Sequence, residues 1–120
     1  MVELADKKCL SCAGQSQVLS QAQAASLLKQ LNGWTVEKGK CLSKTYALKD
    51  FTEALALANI IGALAEEEAH HPDLLVRWGS LCVTLWTHSA DALTENDFIL
   101  AAKIDRLKPQ KAKSPRSQRM

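Results

Sequence analysis

What most constrains this chain is the way its apolar residues change period along the sequence. From Ser20 onward, Ala24, Leu27, Leu28 and Leu31 recur at helical spacing. Trp34 to Glu37 and Lys40 to Leu48 read instead as strands, with Leu42, Tyr46 and Leu48 alternating against Ser43 and Thr45. Helical spacing returns at Phe51, Ala54, Leu55, Ala58, Ile61 and Ala65, the expected buried stripe of a second helix. Leu74 to Trp78 and Leu81 to Thr87 are again strand-like, and Phe98, Ile99, Ala102 and Ile104 supply the apolar face of a last helix. The order is α-β-β-α-β-β-α. Its simplest burial scheme is an α+β fold: a four-stranded antiparallel sheet with three helices on one face.

The punctuation agrees with that division. Ser20 can cap the first helix, and Asn32-Gly33 can stop it by accepting a left-handed backbone. Lys38-Gly39 reads as the turn of the first hairpin. Asp50 with Glu53, and Thr94 with Asp97, have capping-box spacing, and Leu93 with Phe98 suits a hydrophobic staple. Pro109 closes the ordered part. We therefore expect an irregular N-terminal arm over 1–19, a single domain over 20–108 and a basic flexible tail over 109–120.

Composition narrows the function. With 120 residues, 47% hydrophobic and 23% charged, the chain suits one folded domain whose limited core would gain from association with further copies. Residues 1–10 carry Glu3, Asp6, Lys7 and Lys8 and no long apolar run, so a secretory leader is not expected. No stretch approaches the ~18 apolar residues of a membrane helix. Cys41 and Cys82 read as reduced strand residues, and a cytoplasmic location is expected. Cys9 and Cys12 have zinc-ligand spacing but lack a second pair, so metal binding there is not expected. Residues 103–120 hold seven Lys/Arg against one Asp, whereas the rest holds eight against twelve Asp/Glu. The basic tail contains no aromatic residue to stack on bases, so nucleic-acid binding is not expected.

The three histidines carry the chemical signal. If Gly79-Ser80 is a two-residue hairpin loop, Trp78 faces Leu81. Counting outward, His71 then faces His88, with Cα atoms ~4.5–5.5 Å apart. His70 adjoins at the helix-to-strand corner made by Pro72. Imidazoles gathered in this way suit proton transfer near neutral pH, zinc binding, or a purely structural corner, and spacing alone leaves all of these open. Glu66, one helical turn before His70, could orient it.

The segment Ala69-His70-His71-Pro72-Asp73, followed after a hairpin by Thr87-His88, resembles the signature of the pterin-4a-carbinolamine dehydratases. The resemblance runs over about residues 20–107 and takes in Gly33-Trp34 and Leu93-Thr94-Glu95-Asn96-Asp97. It implies the α+β fold read above and a homodimer or homotetramer. It implies dehydration of a 4a-hydroxytetrahydropterin to quinonoid dihydropterin without metal or organic cofactor, in recycling the cofactor of aromatic amino acid hydroxylases. His70 and His88 would then handle the protons, while His71 would orient the substrate and share acid duty. Trp34, Thr87 and Asp97 match positions at or near the family's pocket, although Asp97 is also a capping residue; Glu66 joins them as a substrate-binding candidate on its helical spacing from His70. Ala69 departs from members that have an acidic residue there. Some animal members also serve as dimerisation partners of a transcription factor, which makes a protein-binding module the alternative reading.

Overall fold

The computed structural model describes residues 4–7 and 18–107. Cys9, Cys12 and the tail 109–120 lie outside the described residues. A short 3-10 turn at Leu4–Asp6 is followed by α1 (Gln21–Leu28), β1 (Thr35–Glu37), β2 (Cys41–Ala47), α2 (Phe51–Glu68), β3 (Asp73–Arg77), β4 (Ser80–Leu85) and α3 (Glu95–Asp105). The strands form one antiparallel sheet in the order β1-β2-β4-β3. The helix and strand order, the antiparallel sheet and the fold class are those expected from the change of period.

Alternation along the strands sorts the two faces of the sheet. Leu42, Leu81, Val83 and Leu85 are fully buried on the helix side, against Ala58 and Ile61 of α2 and the apolar residues of α3. Helix α3 is buried almost all round, from Asn96 to Ala102 and again at Ile104, as a helix central to its layer must be. Cys41 and Cys82 are free thiols on β2 and β4.

Several details differ from expectation. Helix α1 ends at Leu28 rather than reaching Leu31, because the next turn tightens: Gln30 and Leu31 donate to the carbonyls of Leu27 and Leu28. In α2 the buried stripe is Ala54, Ala58, Ile61 and Ala65, whereas Phe51 and Leu55 are 46% and 45% exposed. Alanines let the helix lie close to the layer beneath, and the larger residues fall to the side of that narrow contact.

The β3–β4 hairpin is shifted by two from the expected register. Arg77 pairs with Ser80 and Asp73 with Thr84, so the loop is Trp78-Gly79, not Gly79-Ser80. Gly79 has φ +82 and occupies the second loop position, where a type II turn requires a left-handed residue. Trp78 is thereby pushed into solvent. In this register the position opposite His71 would be Trp86, so the expected pairing of His71 with His88 does not occur.

Candidate active site

The site is built where α2 runs into β3. Three glutamates close α2, and acidic residues at a helix C-terminus oppose its dipole. Two of them are offset by cationic or cation-capable partners: Glu68 pairs with Lys103 of α3 at 3.3 Å, and Glu66 accepts from His71 at 2.6 Å. Ala69 then takes the left-handed conformation, φ 54 and ψ 36, and the His70 N–H bonds back to the Ala65 carbonyl. This is the six-to-one bond of a Schellman ending. The reversal sends adjacent histidines to opposite surroundings. His70 is 4% exposed, while the His71 side chain is 59% exposed.

Inside, His70 Nε2–H donates to Asp97 Oδ1 at 2.6 Å. An ionised carboxylate only accepts, so the imidazole must supply the proton of that bond. Asp97 Oδ2 accepts from the Thr87 hydroxyl and from the Thr94 N–H, both at 2.9 Å. Thr87 spends its single hydroxyl proton on Asp97, so the Thr94 hydroxyl donates to Thr87 Oγ1, 2.8 Å away. His70, Thr87, Thr94 and Asp97 are all buried, and this web joins the end of α2, the extension of β4 and the start of α3. Asp97 therefore serves both as the cap of α3 and as the anchor of His70. The two roles weighed for it are compatible because one carboxylate has two oxygens.

His88 follows Thr87 directly and opens a tight loop closed by the Thr87–Ala92 bridge. Its ring lies against Trp86, with centroids 4.3 Å apart and planes at 50°. Of the three histidines only His70 reaches Asp97; His71 lies outside on Glu66, and His88 is exposed, one residue beyond the Thr87 that bonds Asp97.

Glu66 does not reach His70; its partner is His71. The i,i+4 rule would have joined Glu66 to His70 only if the helix had continued, and it ends at Glu68. Trp34 is not in the cluster either. It is buried, and its indole N–H donates to Asp105 Oδ1 at 2.9 Å, about 12 Å from Asp97 along α3 at 1.5 Å per residue. Trp86 was missed by sequence reasoning, and Thr94 was expected only as a helix cap. The spacing of Trp86 and His88 was the available signal, since residues two apart on an extended strand share a face. Among the described residues, no group of three or more His, Cys, Asp or Glu is disposed to hold a metal ion, and no helix is long and apolar enough to cross a membrane.

The profile of the family described as pterin 4 alpha carbinolamine dehydratase matches residues 17–107. The chain belongs to that family. Among its relatives in this pterin dehydratase family, a Rickettsia bellii protein is 50% identical over 105 residues, 87% of this chain and 93% of the relative. A Rubrobacter xylanophilus protein is 44% identical over 107 residues, 89% of this chain and 100% of the relative. Both carry pterin-4-alpha-carbinolamine dehydratase as a provisional name. A solved structure described as a transcriptional coactivator/pterin dehydratase from Brucella melitensis superposes with TM-score 0.68 at 29% identity, covering 73% of this chain and 95% of that one. A pterin dehydratase-like protein described as a RuBisCO assembly factor superposes with TM-score 0.52 over 62% of this chain and 87% of that one. At 24% identity that likeness bears on fold alone. The chain is an enzyme of the pterin-4a-carbinolamine dehydratase type.

Proposed function

We propose that the chain dehydrates 4a-hydroxytetrahydropterin to quinonoid dihydropterin by histidine acid/base catalysis. One imidazolium gives a proton to the 4a-hydroxyl, the C4a–O bond breaks and water leaves. The proton on ring N5 passes to a basic imidazole, and its bonding pair forms the C4a=N5 double bond. His70 and His88 are the proton carriers, and His71 orients the substrate and shares acid duty. Glu66 and Thr87 support them from the rim and the interior. The observation that carries this reading is the buried His70–Asp97 pair, which orients the His70 ring by holding one of its nitrogens on a carboxylate.

The physiological setting proposed is recycling of the pterin cofactor of aromatic amino acid hydroxylases in the cytoplasm. A homodimer or homotetramer is proposed with it. Its support is apolar surface that a single copy leaves open at Phe51, Leu55, Leu75 and Trp78, with Leu75 on the edge strand β3.

The test is stopped-flow absorbance on freshly generated 4a-hydroxytetrahydropterin, in chelator, for the wild type, His70→Ala and His88→Ala. Fast wild-type turnover with a loss of about tenfold or more in each variant, or ~1.4 kcal/mol of transition-state stabilisation, is expected. No acceleration by the wild type over buffer would sink the proposal and favour a protein-binding module.

A further inference from the structure

The three histidines are held by different means. His70 is bonded to Asp97 and His71 to Glu66, so each commits a ring nitrogen to a carboxylate. His88 has no such partner among the described residues; its ring rests on the indole of Trp86. Its backbone, by contrast, is pinned. Thr87 and Ala92 exchange N–H···O bonds at 3.0 and 3.4 Å, and the Asp91 N–H donates to the His88 carbonyl at 3.2 Å. Asp91 holds φ +51, and its carboxylate accepts from Lys40 Nζ at 2.9 Å, tying the loop tip to the β1–β2 hairpin. The loop fixes where the His88 Cα stands, and side-chain rotation alone would leave the ring direction open. Trp86 is half-buried and adjoins the end of β4, so it offers a fixed face. A tilted ring contact at this distance restrains an imidazole by packing, without a hydrogen bond to either ring nitrogen.

We propose that Trp86 is a positioning residue for His88, holding the imidazole by ring packing rather than by a hydrogen bond, so that both ring nitrogens remain open to exchange a proton with the pterin. This inference rests on the reading of His88 as a proton carrier. A carboxylate partner would occupy one nitrogen and bias the ring toward one tautomer. An indole orients without doing so, which suits a group that must alternately give and take a proton. The gain is one of orientation, to which proton transfer between fixed groups is sensitive.

A double-mutant cycle in the dehydration assay tests it, using Trp86→Ala, Trp86→Phe, His88→Ala and the Trp86→Ala/His88→Ala pair. Trp86→Ala should lower kcat by about tenfold with KM changed less than about twofold, the loss expected of a misdirected catalytic ring. Trp86→Phe, which keeps an aromatic face, should recover most of the rate. In the His88→Ala background Trp86→Ala should cost nothing further, because the group it positions is gone. An equal loss in both backgrounds, or a raised KM with kcat intact, would overturn the inference, since the indole would then act on the substrate or the strand. An inactive wild type sinks the dehydratase reading and this inference together, whereas an active wild type with additive losses sinks this inference alone. The wild type also carries a check that survives a poorly folding alanine variant. The His88 Cε1 proton, assigned by its loss in His88→Ala, should be moved upfield by the indole ring current, and a signal at the free-histidine position would overturn the contact.

Discussion

Asp97 and Asp105 stand a little over two turns apart on α3, and each gathers three hydrogen bonds from separate parts of the chain. Asp97 takes them from His70, Thr87 and Thr94. Asp105 takes them from the Asn32 N–H, the Trp34 indole and Lys44 Nζ, each at 2.9 Å. Position explains the difference in partners. Asp97 lies in the first turn of α3, where the helix dipole favours a negative charge, so neutral donors and one imidazole satisfy it. Asp105 ends the same helix, where the dipole opposes it, and a lysine ammonium compensates. Lys44 also sits 4.9 Å from the centre of the Tyr46 ring, which helps accommodate a partly buried cation. Both carboxylates knit the layers together. Only the Asp97 end includes an imidazole, the side chain most often used for proton transfer.

Substitutions should separate these two ends. The largest effect is expected at the Asp97 end. His70→Ala should lower kcat/KM by about 100-fold, within the range for loss of a general acid or base, and Asp97→Asn should follow it, measured as dehydration rate per folded molecule. At the other end, Asp105→Ala should cost about 2 kcal/mol by urea unfolding, since it leaves a partly buried lysine and an indole N–H unpaired. Its rate per folded molecule should stay within about twofold, because Asp105 orients no reacting group. A large loss of rate at Asp105 would break the comparison.

Smaller effects sharpen it. Glu66→Gln should reduce the rate only a few-fold, because its bond to His71 is solvent-exposed and worth under about 1 kcal/mol. That effect should shrink further in high salt. Near Asp105, burial and then the Asp105 charge push the Tyr46 phenol up from 10.0 to about 12. The folded chain therefore keeps a proton that the unfolded chain releases. The stability this contributes is complete below about pH 10 and is lost between about 10 and 12. Thermal melts of the wild type should fall more steeply across that window than those of Tyr46→Phe.

Much of this was legible in the sequence for a physical reason: the change between helical and alternating period survives any error in individual contacts. The capping residues Ser20, Asp50 and Asp97 could be identified because their bonds are local. What failed depended on where local order stops. The β3–β4 register turned on whether Gly79 was the first or second loop residue, and only the φ of the folded backbone decides that. The partner of Glu66 turned on whether α2 ran past Glu68. The hairpin pairing of His71 with His88 failed with the register, and the partner of His70, Asp97, lies far along the chain where no spacing rule reveals it.

Ala69 has a further consequence. A residue with a Cβ pays a conformational penalty for φ 54 that glycine would not, yet its backbone reversal acts as a sorting step that gives two chemically identical neighbours opposite addresses. The different surroundings of His70 and His71 are thus encoded in one torsion angle rather than in either side chain. Deleting Ala69 should shift the addresses by one, placing His70 at the reversal and sending His71 toward Asp97, while all three histidines remain in the chain.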